Sequence, residues 1–166
     1  MPEAPLGWIS PCSDGRYKLT FERDLPNGPN EVWRAMTSEE YVACWLSEAE
    51  IELRPMGRLR LRGQCNVDGE VLEVQAPALF GWTWPHPDHP ASEVHISIAA
   101  LDLAASRVTL VQTNLPGRHI LDVATGWHTH LDALPAAVLG SHTPFDAELA
   151  AINYRRYSAS LAKEVR

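Results

Sequence analysis

Cysteine is scarce and unpatterned in these 166 residues: Cys12, Cys44 and Cys65 are odd in number and show no CxxC spacing. That argues against a disulfide framework and a Cys-rich zinc site, and points to a reducing, cytoplasmic setting. Runs of Lys and Arg are missing too. Twenty-one acidic against fourteen basic residues leave a formal charge of -7, so a phosphate backbone or an anionic membrane is repelled on average, and no nucleic-acid partner is expected. No stretch of about 18 consecutive apolar residues occurs, and MPEAPLGWISPCSDG lacks the basic and apolar regions of a signal peptide, so neither export nor membrane insertion is expected. The signatures G-x-S-x-G, H-E-x-x-H, the P-loop and G-x-G-x-x-G are absent, as are internal repeats and low-complexity segments.

What is present reads as one globular domain, with 45% hydrophobic and 21% charged residues. Three prolines and two glycines in residues 1–15 predict a flexible N-terminal tail, with the ordered domain beginning at Arg16. YKLTFERDL then alternates apolar and polar side chains, the period of a half-buried strand. Val32, Trp33 and Met36 fall at helical spacing, and Thr37-Ser-Glu-Glu40 predicts a capping box opening a second short helix through Trp45. Ala49, Ile51 and Leu53 alternate, Pro55-Met-Gly57 predicts a turn, and Leu59, Leu61, Gly63 and Cys65 alternate opposite Arg58, Arg60 and Arg62. Val67-Asp-Gly69 reads as a further turn, followed by strands VLEVQA, LFGWTW, EVHISIAAL and RVTLVQTNL. This sheet needs a cover, which residues 123–139 supply: Val123, Trp127, Leu131, Leu134 and Val138 form an apolar stripe, and Pro135 predicts a kink between Leu131 and Leu134. Phe145, Leu149, Ile152, Tyr157 and Leu161 predict a last amphipathic helix.

This order resembles the START-like (Bet v 1-like) helix-grip architecture. FERDLPNGPNEVWRAMTSEEYVACW, PMGRLRLRG, DGEVLEVQAPALFGWTW and TNLP...GWHTHLDAL are similar to the successive motifs of the Hsp90-ATPase-activator-like branch of the SRPBCC superfamily. The resemblance spans roughly residues 16–140 and implies an α+β fold: a curved antiparallel sheet of six to seven strands, two short helices and a long covering helix. A helical extension, residues 141–166, is expected to pack on the same domain. Such a fold encloses an apolar cavity between sheet and helix, and the expected function is to bind an apolar or amphipathic small molecule there. Burying roughly 250 Å² of apolar ligand surface would contribute about 6 kcal/mol before association costs. Rival readings are a module that contacts an Hsp90-type chaperone, and a cyclase- or hydrolase-like enzyme acting on a hydrophobic substrate. A homodimer through the last helix or the arginine strand is a further alternative.

The expected ligand-binding residues are Trp82, Trp84, Trp127, His130, Leu131 and Leu134; no catalytic residue, metal or cofactor is assigned. His128 and His130 point about 200° apart on a helix, so they cannot clamp one metal ion; His130 is expected near the cavity and His128 in solvent. His86 and His89 in HPDHP, with Asp88 and His95, have the ligand chemistry of a zinc or copper site, but the flanking prolines favour a solvated loop. Cys65 reads as a small buried hydrophobe, and Trp33 and Trp45 as pins for the short helices.

Overall fold

The computed structural model describes residues 3–164. Eight antiparallel strands form one open, curved sheet in the order β1-β2-β8-β7-β6-β5-β4-β3. They are β1 Trp8–Pro11, β2 Tyr17–Leu25, β3 Glu48–Ile51, β4 Arg58–Arg62, β5 Val67–Gln75, β6 Leu79–Trp84, β7 Ser92–Asp102 and β8 Ala105–Leu115. Helices α1 (Pro29–Thr37) and α2 (Glu39–Trp45) lie between β2 and β3, while α3 (Ile120–Asp132), α4 (Leu134–Val138) and α5 (Ala147–Glu164) follow the sheet. This is the expected helix-grip fold with one strand more than the alternation suggested.

The extra strand comes from the segment expected as a flexible tail. Trp8 pairs with Thr20 and Ile9 with Leu19, so β1 extends the sheet past β2, while Met1 and Pro2 of that segment lie outside the described residues. Pro11, which cannot donate to a ladder, stands at the strand's end and on the sheet's edge, where its missing N–H costs least. Val67-Asp-Gly69, read as a turn, lies instead inside β5, where Gly69 sits opposite Leu59 and a Cβ would collide with the Thr83 carbonyl. The β4–β5 connection runs through Gly63–Asn66, which takes Cys65 off the strand to which its alternation assigned it.

Two further local expectations change. Thr37 ends α1, donating its hydroxyl to the Trp33 carbonyl at 2.8 Å, so it forms no capping box; Ser38 precedes α2, and the Glu39 carboxylate accepts the Ile51 N–H at 2.8 Å. In the Pro55-Met56-Gly57 turn, Met56 itself adopts the left-handed conformation, with φ 66°, while Gly57 is required because a Cβ there would run into the Glu52 and Arg54 carbonyls. Gly57→Ala is therefore expected to cost about 1–3 kcal/mol, as overpacking against backbone does. A urea midpoint within error of the parent's would refute that reading.

The covering helix is two helices. Ala133 ends α3 and precedes α4, and Pro135 falls in the first turn of α4, where its lack of an N–H is harmless. Behind the break α4 packs against α1 and α2, and the fully buried Leu134 and Ala137 join the core. Helix α5 packs along α3. Its inward face keeps Tyr157 of the expected stripe, 1% exposed, but holds Asn153, also 1% exposed, in place of Ile152, which is 42% exposed. Of the expected extension, Val165 and Arg166 lie outside the described residues. No described helix is long and apolar enough to cross a membrane.

Candidate functional site

One end of α3 and the facing sheet leave a cavity of about 220 Å³, walled by Trp84, Val123, Trp127, His130, Phe145 and Cys65. Trp127 is its central wall. The indole lies edge-on to Trp84, with ring centroids 5.6 Å apart, and tilted against Trp45 at 6.5 Å. A buried polar chain fixes its angle: Trp127 Nε1 donates to Gln112 Oε1 at 2.6 Å, Gln112 Nε2 to Ser92 Oγ at 2.8 Å, and Ser92 Oγ to the Trp84 carbonyl at 3.3 Å. Every member of that chain is satisfied, so the wall is rigid without leaving a buried donor unpaired. Gln112 was discoverable in the sequence, because it stands in the inward phase of Val108 and Leu110 on β8, where an apolar side chain is expected.

His130 is 6% exposed and has a fixed tautomer. Its Nδ1 lies 3.0 Å from the Trp45 carbonyl, which can only accept, so Nδ1 carries the proton and Nε2 presents a lone pair. That lone pair faces Cys65 Sγ at 3.6 Å. Burial holds the imidazole below its ordinary range, against the opposing effect of the Trp45 bond, and burial pushes the Cys65 thiol up to about 11. The pair is thus a neutral thiol donating to a neutral imidazole. Ser47 pins the turn that carries the sulfur: its hydroxyl accepts the Cys65 N–H at 3.1 Å and lies 2.8 Å from the Arg62 carbonyl, to which it donates.

Of the six residues expected to bind ligand, the structure brings Trp84, Trp127 and His130 together on this wall. Trp82, 2% exposed, and Leu134, 0% exposed, are packed in the core, Trp82 against Phe80. Leu131 faces a second recess on the other side of α3. Among the lining residues that the sequence did not assign to the cavity are Cys65, read as a small buried hydrophobe, and Gln112.

The second recess, about 680 Å³, lies among β2, α3, α5 and the N-terminal segment and has the charged side chains of Arg23, Asp24, Arg107, Asp132 and Arg156 in its lining. His128, expected in solvent, is buried here at 1% exposure because α5 covers the outer face of α3; its Nδ1 lies 2.7 Å from the Tyr157 hydroxyl. Arg23 and Arg156 approach the two nitrogens of the same ring at 3.5 and 3.4 Å. The larger volume is not the better ligand site. Its charges answer one another, Arg107 with Asp24 at 2.8 Å and Arg156 with Glu3 at 3.5 Å, and residues 4, 5 and 7 are tied across it by bonds from Arg156, Arg23 and to Tyr157.

The remaining histidines separate. His86 stacks on His89 with ring centroids 4.0 Å apart, and His119 lies 6.4 Å from His86. His95 instead bonds Glu73 at 3.0 Å and Glu93 at 3.1 Å; burial opposes its protonation, but the two carboxylates outweigh it and raise its pKa. The described residues contain no group of three or more His, Cys, Asp or Glu placed to hold a metal ion. On the arginine strand, Arg62 and Arg60 engage Asp68 at 2.9 and 3.1 Å, an exposed network of small energetic weight.

Residues 28–138 match the family model described as Activator of Hsp90 ATPase homolog 1-like protein. Among solved structures, CalU16 from Micromonospora echinospora is 21% identical with a TM-score of 0.74, covering 91% of this chain and 92% of its own. A conserved protein of unknown function from Enterococcus faecalis is 19% identical with a TM-score of 0.74, covering 95% and 91%. An HSP90 activator from Plasmodium falciparum is 18% identical with a TM-score of 0.58, covering 66% and 86%. At these identities the likeness bears on fold alone. No functionally curated protein matches the chain.

Proposed function

We propose that this chain, which belongs to the Activator of Hsp90 ATPase homolog 1-like family, binds a small apolar or amphipathic molecule in the cavity between α3 and the sheet. The observation that carries the reading is the convergence of Trp84, Trp127 and His130 on one void, where the apolar Leu46, Val123 and Phe145 share the wall with the polar Gln64, His86, Gln112 and Asp122. A volume of about 220 Å³ falls below the roughly 300–1,000 Å³ of drug-sized pockets. The occupant is therefore small, of the size of a substituted single ring. Burying about 150–200 Å² of its apolar surface would contribute about 4–5 kcal/mol, an amount that association costs largely offset. Affinity then depends on what the ligand offers to His130.

Gly126 supplies the test. It lies on the cavity wall, and a Cβ built there meets nothing within 4 Å. Gly126→Leu should fill the void while removing a glycine from a helix interior, a change that favours the helix by about 0.5–1 kcal/mol. Native mass spectrometry of protein purified from its own host should find a small molecule on the parent and none on Gly126→Leu, at equal or higher stability. Equal occupancy of the two would place the ligand elsewhere.

A chaperone-binding role is the second reading, supported by the family's description and by the named activity of the Plasmodium falciparum relative. Stimulated ATP turnover by an Hsp90-type chaperone on adding this protein would support it, and unchanged turnover would remove it.

A further inference from the structure

We propose that Cys65 is a nucleophile that adds to an apolar α,β-unsaturated carbonyl compound held in the cavity, with His130 as the base that takes its proton. The ligand class rests on the binding reading above; the dyad itself does not. Three parts of a nucleophilic device meet here: a sulfur on the cavity wall, an imidazole lone pair 3.6 Å from it, and a carbonyl at 3.0 Å that fixes the imidazole's tautomer. Ser47 clamps the turn and so fixes where the sulfur points. The other cysteines differ. Cys12 is exposed, and Cys44 faces the carbonyls of Glu40 and Gly140.

Burial dictates the route. A thiol pushed up to about 11 is almost wholly protonated at neutral pH, so the direct thiolate pathway is slow. The same burial keeps His130 neutral and able to accept. In the addition, sulfur bonds the β-carbon as the C=C π pair moves into an enolate, and the S–H proton passes to His130 Nε2. That proton then returns to the α-carbon as the enolate reverts to the ketone. Nothing is oxidised or reduced, and no group leaves. Addition to an enone suits a soft sulfur among Trp84, Trp127 and Val123, since it needs only a nucleophile and a proton shuttle. The other titratable groups near the pair are Asp122 and His86 on the cavity side and Glu48, Arg62, Asp132, His142 and Asp146 around the grooves behind the imidazole.

Acrylamide, small enough to need no binding site, tests the dyad directly. Its rate of addition at each cysteine is followed by peptide mass between pH 7 and pH 9. Through His130, the rate at Cys65 should change little over this range, whereas a thiol that reacts only as its thiolate gains about tenfold per pH unit below its pKa. His130→Asn puts an amide N–H where Nδ1 meets the Trp45 carbonyl and deletes the base. It should slow Cys65 about a hundredfold at pH 7 and restore the tenfold slope. A parent rate that climbs tenfold per pH unit, or an undiminished rate in His130→Asn, overturns the dyad; the parent profile stands even if the variant folds poorly.

The ligand class is tested with 4-phenylbut-3-en-2-one and its saturated counterpart 4-phenylbutan-2-one. Support is reversible quenching of tryptophan fluorescence by the saturated ketone together with an adduct on Cys65 weighing one whole enone. Quenching without an adduct overturns the addition and leaves the binding reading standing. A flat acrylamide profile with no quenching retains the dyad and overturns the ligand class together with that reading.

Discussion

Trp127→Ala is expected to lower stability by about 3–5 kcal/mol, the range for deleting a large buried aromatic side chain. The indole is 4% exposed, stands between Trp45 and Trp84 and holds the Gln112 amide. Its loss enlarges a void that already exists, so the walls have little with which to collapse, and it leaves Gln112 Oε1 buried without its donor. For a chain of this size, each kcal/mol corresponds to about 2–4 °C in Tm, so a fall of roughly 6–20 °C in a thermal melt checks the figure. Trp127→Phe separates the two contributions. The smaller ring retains most of the apolar contact but no N–H, and the orphaned amide oxygen should account for about 1–3 kcal/mol. If Trp127→Phe matched the parent, the bond to Gln112 would carry no stability, and the 2.6 Å contact would serve only to orient the ring. Both variants should also alter ligand occupancy, since each changes the wall shared with His130.

The contrast between Trp127 and Trp82 shows what pattern alone conveys. Alternation and helical spacing put both on inward faces, and both are inward. Whether an inward side chain meets a neighbour or a void depends on what crosses above it: Phe80 beside Trp82, but the open end of α3 above Trp84. The apolar pattern likewise marked β2 through β8, apart from the Val67–Gly69 start of β5, because each strand turns buried or half-buried side chains to one face. It missed β1, whose four residues Trp8–Pro11 hold a proline and owe their extended form to pairing with Leu19 and Thr20. Pro135 was legible as a break, yet that α4 would then turn down onto α1 and α2 required the third dimension. His128 is the clearest miss. Nothing within α3 says that its polar face is covered, and the covering group, Tyr157, lies 29 residues away on α5. The one local hint was Asn153, whose spacing from Tyr157 and Leu149 places a polar residue on an inward helical face. The Cys65–His130 meeting has the same character, two ordinary residues 65 positions apart joined by the fold.

That buried histidine makes stability depend on acidity, and the expected result is a protein that loses stability steeply below about pH 6. Burial, then the nearby Arg23 and Arg156 guanidiniums, push the His128 pKa from 6.5 down to about 3. The unfolded chain therefore binds a proton near pH 6.5 that the folded protein refuses until about pH 3. Within that window the unfolded state holds more protons, so stability falls as pH falls, by up to about 1.4 kcal/mol per pH unit for this one group. His130 and His86, both lowered chiefly by burial, act in the same direction. Two groups oppose it. His95, raised by Glu93 and Glu73, contributes stability that is present below 6.5 and lost as pH rises through its folded value. Asp132, raised by burial against the pull of Arg23 and Arg156, takes up its proton more readily folded than unfolded, which softens the loss at the acid end. Urea midpoints at pH 7, 5.5 and 4.5 give the slope, and His128→Asn assigns it. Asparagine keeps a polar partner for the Tyr157 hydroxyl but cannot titrate, so the variant should be less stable than the parent at pH 7 and show a flatter decline toward pH 4.5. An equal slope in the two proteins would move the acid sensitivity to His130 and His86, on the cavity side of the fold, and ligand occupancy should then fall over the same pH range as stability.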